Sequence, residues 1–264
     1  MKIICFILSL SSLIIAQQEK IGDKLETWFN KVDLYYNNYI NHNYNLTLNK
    51  DAIDSAITQL YDLYSNHWLE THNYIDLKHQ NAQKEFRDTK GNIFAKPPSV
   101  KIRVLKETID KILGKHYAEI IMVPFYFRVK ILQIDNNGVY ESGTRKFGKT
   151  ILFCEIMDII KGKSFSPSEE KIEISYLRGW AVAPFEVGSE YFIPVKPWNC
   201  SEGKCSEYTI NLFDNSIDSS SNQYDIYLIK NNEIKNATYF GIPTSNWDDF
   251  LKEFRNKYIF EGAR

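Results

Sequence analysis

Cysteine is scarce in this chain: four in 264 residues, at positions 5, 154, 200 and 205, too few for a scaffold built on disulfides. Arginine is also sparse, with 7 among the 32 basic residues, and those 32 are balanced by 33 acidic ones. No long basic run interrupts that balance, so the electrostatic footprint of a nucleic-acid binder is missing. Twelve glycines and eight prolines without a period exclude a collagen-like chain, and 44% hydrophobic with 25% charged residues excludes a disordered one. Only one long apolar run occurs, near the start. Gly-x-Ser-x-Gly and His-Glu-x-x-His are both absent, which removes the nucleophile elbow and the zinc-protease helix.

The one apolar run, Ile3 to Ala16 behind Lys2, is followed by the polar Gln17-Gln18-Glu19-Lys20. Its length, about 14 residues, falls short of the roughly 20 needed to cross a bilayer. The pattern is that of a signal peptide cleaved after Ala16, and it predicts a secreted or periplasmic protein with no membrane association after cleavage. Export favours disulfides. Cys200 and Cys205 flank a polar, turn-rich stretch and are expected to pair, while Cys154, among apolar residues, is expected to stay free and buried. The chain-entropy model gives so short a loop only about 2 kcal/mol. No second cysteine pair or nearby histidine completes a zinc site around Cys200 and Cys205, and His67, His72 and His79 lack ligand spacing.

Residues 21 to 40 place Leu25, Trp28, Phe29, Val32, Tyr35, Tyr36 and Tyr39 at intervals of three and four, which predicts an amphipathic helix. A second follows through Ile53, Ile57, Leu60 and Tyr64, with Asn49 as N-cap and Leu48 as staple. The stretch from Asn66 to Asp88 is polar and less periodic, and leaves a third helix open. After Gly91 and Pro97-Pro98, Ser99 is read as the cap of a helix through Ile102, Leu105, Ile109, Ile112 and Leu113, ended by Gly114.

From Ile120 onward β-branched and aromatic residues dominate. Strands are predicted over Ile120–Ile134, Val139–Glu141, Thr150–Ile160, Lys171–Leu177, Tyr191–Val195, Tyr208–Phe213, Tyr224–Lys230 and Glu233–Ala237. Asp135-Asn-Asn-Gly138 is read as a turn, Asn231-Asn232 as a hairpin turn, and 216–222 as a loop. A closing helix carries Trp247, Phe250, Leu251, Phe254 and Tyr258, with Ser245 and Asp248 as a capping-box start.

Gly143-Thr-Arg-Lys-Phe-Gly148-Lys149-Thr150 matches the phosphate-binding loop as a string. That mechanism needs a buried strand before the loop and a helix after it. Here the preceding residues are polar and the following ones strand-like, so the segment is read as a solvated basic hairpin loop. With no motif calling for a cofactor or metal, recognition by aromatics remains. Trp180, beside Arg178-Gly179, and Trp198, beside the Cys200 loop, fall near turn signals, and with Arg178 they are the candidate ligand-binding residues. Packing at the ends of the sheet is the competing role for both tryptophans. Asn45, Asn199 and Asn236 open glycosylation triplets for a host that uses them.

Phe127-Arg-Val-Lys-Ile-Leu-Gln-Ile134, Ile151-Leu-Phe-Cys-Glu-Ile-Met-Asp-Ile-Ile-Lys-Gly162, Lys171-Ile-Glu-Ile174 and Phe185-Glu-Val-Gly-Ser-Glu-Tyr-Phe-Ile-Pro-Val195 together resemble the netrin/TIMP-like module, across residues 120 to about 237. The resemblance implies an OB-type barrel that binds a partner. The family's N-terminal zinc-binding cysteine and paired disulfides have no counterpart here, so its inhibitory role does not transfer. The expectation is an α+β protein: a signal peptide over 1–16, a helical region over 17–114, and an OB-like antiparallel β-barrel with a C-terminal amphipathic helix over 115–264. Its expected role is non-enzymatic binding of a protein or glycan, without nucleic acid. The alternative is a secreted hydrolase with a site assembled from dispersed residues.

Overall fold

The computed structural model describes residues 21–34, 50–88, 98–142, 144–162, 170–177, 185–201, 204–210, 227–235 and 237–260. It is mixed helix and sheet, and divides into two compact units: residues 1–59 with 67–112, and 60–66 with 113–264. No helix among the described residues is long and apolar enough to cross a membrane.

The first unit is helical: α1 over 21–34, most of α2 (Lys50–Ser65), α3 (Trp68–Asp88) and nearly all of α4 (Pro98–Leu113). Most of the periodic apolar residues do what their spacing predicts, since Leu25, Trp28, Phe29, Val32, Ile57, Ile102, Leu105 and Ile109 are buried, whereas Ile112 of the last stripe is 49% exposed. The polar stretch left open by its pattern is helical after all, as α3. Its Tyr74 packs on Phe29 at 5.5 Å, and its Tyr74 and Lys78 side chains hydrogen-bond Glu26 of α1. Lys101 of α4 meets Asp33 at 2.6 Å. The helix expected to cap on Ser99 begins instead with Pro98, which suits a first helical turn because its missing N–H has no partner to lose there. The expected cap at Asn49 and its Leu48 staple lie outside the described residues, as does the 216–222 loop.

The second unit is built on seven strands: β1 (Phe125–Ser142), β2 (Arg145–Lys161), β3 (Lys171–Leu177), β4 (Glu190–Ser201), β5 (Lys204–Ile210), β6 (Tyr227–Lys230) and β7 (Glu233–Ile234). They pair in the order β1-β2-β3-β5-β4-β6-β7, and β1 also pairs with β4, so the pairings of β1, β2, β3, β5 and β4 return to their start as a ring. Every neighbour in it is antiparallel except β3 and β5, which run parallel through Ile174 opposite Tyr208 and Ser175 opposite Thr209.

Several boundaries differ from the sequence reading: β2 begins at Arg145 rather than Thr150, β4 runs past Val195 to Ser201, and β5 begins at Lys204 rather than Tyr208. Ile120 and Ile121 are not strand but the buried face of α5 (Tyr117–Met122), a short helix entered through Gly114 at φ 115° and His116 at φ 66°. Asp135-Asn-Asn-Gly138 does not turn the chain. It is absorbed as an irregularity within β1, where the Gly138 backbone lies so close to Lys149 O that a Cβ would sit 2.8 Å from it. The reversal comes at Ser142–Arg145. Beyond β7 the chain forms a 3-10 turn (Ala237–Phe240), and the C-terminal helix α6 (Trp247–Tyr258) is capped by Asn246, not Ser245: its side chain accepts from the backbone N–H of Asp248 and Asp249. The Asn231-Asn232 turn forms as expected, both residues taking positive φ.

Alternate residues of β1 and β4 fill two separate layers. Phe125, Phe127, Val129 and Ile131 join Leu152, Cys154, Ile174, Ile193 and Tyr208 inside the ring. Tyr126 and Phe192 point the other way, into an aromatic layer beneath α6 with Phe240, Trp247, Phe250 and Phe254. Arg128 lies over the Trp247 ring and pairs with Glu190 at 2.6 Å.

Candidate functional site

β1 and β2 continue past the ring as a two-stranded arm. The last β2 residue paired with β3 is Lys149, opposite Leu177, while β1 and β2 stay paired out to Ser142 and Arg145. Neighbouring residues of a strand face opposite ways. Since Leu152 and Cys154 face the ring interior, Arg145, Phe147, Lys149, Ile151 and Phe153 share the outer face. Tyr140 stands opposite Phe147 on that same face, with ring centroids 6.3 Å apart. The opposite face carries Val139, and Glu141 paired with Lys146 at 2.7 Å. Phe147 is 39% and Val139 56% exposed.

Where the arm leaves the ring, Thr150 Oγ1 donates to Asn136 Oδ1 at 2.9 Å, and burial raises the Tyr176 phenol, partly opposed by its hydrogen bond with Thr150. Tyr176 and Phe185 touch at 5.8 Å, so the ends of the segment carrying Arg178 and Trp180 are held together at this end of the ring. Arg178 and Trp180 themselves lie outside the described residues. Trp198 is not beside a turn, as its neighbours implied, but within β4, seven residues past Tyr191. That is about 23 Å of extended strand, which sets Trp198 three residues before the end of β4 at Ser201. At that end of β4 the backbone sets Cys200 directly across from Cys205.

The segment matching a phosphate-binding loop is the arm's tip: strand, turn, strand, with no helix behind it. The tyrosine and phenylalanine flanking that tip were missed by sequence reading because the turn was assigned to Asp135–Gly138. The aromatic–cation alternation Arg145-Lys-Phe147-Gly-Lys149 was the available signal.

Comparison with protein families, curated proteins and solved structures found no match. None of them identifies a netrin/TIMP-like module.

Groups suited to catalysis serve packing instead. The Lys161 side chain, 2% exposed, donates to Ile121 O at 2.5 Å and Val123 O at 2.6 Å and lies over the Tyr61 ring. It therefore closes the C-terminal end of α5, and burial pushes its amine well below the ordinary lysine value. The best material for the hydrolase alternative is His116, whose Nδ1 is 3.3 Å from Glu119 Oε2 and whose ring stacks on Tyr239. His116 and Glu119 both come from the entry to one short helix. No group of three or more metal-ligating side chains occurs among the described residues.

Cys154 is buried and free as expected, its thiol pushed up to about 12 by desolvation. At pH 8 the folded protein is expected to leave this thiol unreactive to a disulfide reagent, and unfolding should release it. Rapid labelling at Cys154 in the folded state, read by peptide mass, would contradict its place in the core.

Proposed function

We propose that the ring of β1, β2, β3, β5 and β4 is an OB-like barrel, and that this chain is an exported, non-enzymatic binding protein. Its binding surface is the outer face of the β1–β2 arm, continuing onto β2 and β3. The observation that carries this reading is the Tyr140–Phe147 pair, Phe147 exposed and Tyr140 half-buried, on an arm projecting beyond the ring. The strand order with its parallel β3–β5 contact supports the barrel assignment, and small barrels of this kind bind ligands on the strand 2–3 face and adjoining loops. That step is analogy at the level of fold. Arg178 and Trp180, which follow β3 in sequence and lie outside the described residues, remain part of the same proposal as ligand-binding residues. A Cys200–Cys205 disulfide, supported by their register, would staple the β4–β5 hairpin.

A thermal-shift survey of the purified protein against glycans and peptides tests it. The expected result is a ligand that raises the melting temperature of the wild type and leaves Tyr140→Ala/Phe147→Ala unmoved. A ligand whose shift survives that double substitution intact would put the site elsewhere.

A further inference from the structure

From the charge pattern on the arm we infer that its ligand is an oligosaccharide bearing anionic groups, sulfate or carboxylate. This rests on the binding-face reading above and names the chemistry that the face takes. The two sides of the arm differ in kind. On one, Glu141 and Lys146 neutralise each other at 2.7 Å. On the other, the register sets Tyr140 against Phe147, Ser142 against Arg145 and Gly138 against Lys149. That side therefore carries two rings and two cations with no carboxylate at these six positions, and the next pair inward on the same face, Asp135 against Ile151, sets one carboxylate diagonal to Lys149.

Arg145 and Lys149 stand two residues either side of Phe147, so their Cα atoms are about 14 Å apart along the strand. A sugar stacked on the Phe147 ring would thus have a cation beyond it in each direction, and anions on the sugars before and after it would be met. The rings offer a rigid apolar surface at low entropic cost. A polynucleotide fits less well. It needs a basic track along its backbone, whereas Glu155 and Glu173 follow on the same outer surface, opposite Lys130 and Phe153, and the chain as a whole has a formal charge of −1.

Calorimetric titration of the purified protein with a sulfated tetrasaccharide, a tetragalacturonate, neutral cellotetraose and single-stranded oligothymidylate distinguishes the possibilities. The expected result is binding of one or both anionic sugars, weakened about tenfold by Phe147→Ala. Phe147→Tyr, which keeps the ring, should restore it. Arg145→Gln and Lys149→Gln should each weaken binding severalfold, while Lys146→Gln, on the opposite side, changes it less than twofold. Equal losses from Lys146→Gln and Lys149→Gln would reduce the effect to net charge and overturn the proposal. So would preference for cellotetraose or oligothymidylate: if that binding is still lost in Phe147→Ala, the face stands and its anionic-sugar assignment falls. Binding of any probe that ignores Phe147, Arg145 and Lys149 overturns the face together with its ligand, as does silence across all four.

Discussion

Replacing Lys161 by alanine is expected to destabilise the second unit by about 3 kcal/mol, roughly 6–12 °C in melting temperature. The side chain fills buried space and supplies the donors for Ile121 O and Val123 O, carbonyls at the C-terminal end of α5 that have no further helical turn to bond. Alanine would leave both without that donor and open a cavity beside Tyr61. Lys161→Met separates the two effects, since it keeps most of the volume and loses only the donors. The amine also carries a pH signature. Its folded value lies below the unfolded one, so between the two the unfolded chain holds the extra proton and stability rises with pH. Urea unfolding at pH 7 and pH 9.5 should therefore show the wild type gaining stability relative to Lys161→Met. The upper limit matters because burial raises Tyr176, Tyr191 and Tyr208, and their contribution is lost above about pH 10 as the unfolded tyrosines ionise first. Equal pH dependence in the two proteins would mean that Lys161 is not held in a desolvated site.

The neighbouring substitution Gly162→Ala is expected to cost more, about 4 kcal/mol or beyond, enough to leave little folded second unit at 37 °C. Gly162 has φ 91°, a region that L side chains avoid, and a Cβ there would lie 2.7 Å from Pro124 O and inside the contact distance of the Phe125 ring. Neither obstacle can yield cheaply. One is backbone, and the Phe125 ring is packed among Phe127 and Tyr208 in the ring core. The stiffening of the unfolded chain returns at most about 1 kcal/mol. Circular dichroism of the purified variant, melted beside wild type, reads the result. A melting temperature within 2–3 °C of wild type would show that the chain at the end of β2 relaxes freely.

These two residues illustrate what sequence patterning conveys and what it does not. Lys161-Gly162 reads in the chain as a polar stop after a long strand, and the strand does end there. Nothing local says that the lysine is buried, because its partners are carbonyls near residue 122, some 40 residues earlier, and carbonyls leave no mark in a sequence. The α6 stripe was legible for the complementary reason: Trp247, Phe250, Phe254 and Tyr258 repeat at helical spacing, and all four are buried. The first and second strands were located but cut short, since Asn136-Asn137-Gly138 has turn chemistry and only the pairing with Lys149 overrides it. That single misreading hid the arm, and with it Tyr140 and Phe147. Trp198 was read from neighbours such as Pro197, which β4 tolerates within its length.

The double filling around β1 and β4 alters what holds those strands in step. In a sheet with one wet face, a slip of one residue would carry apolar side chains into water, and solvent alone would forbid it. Between Phe125 and Val129 there is little such penalty, since Tyr126 is as dry as Phe125 and Phe127, and Phe192 as dry as Ile193. Discrimination there comes from charge and fit: a one-residue slip would carry Arg128 toward the ring interior and break its pair with Glu190, and would exchange Tyr126 and Phe192, packed beneath α6, with neighbours fitted to the ring core. Strand alignment in this part of the molecule thus rests on one ion pair and on the fit of particular rings, Tyr126 and Phe192 beneath α6 and Phe125 and Phe127 inside the ring, so substitutions that change side-chain shape would be felt there even where hydrophobicity is conserved.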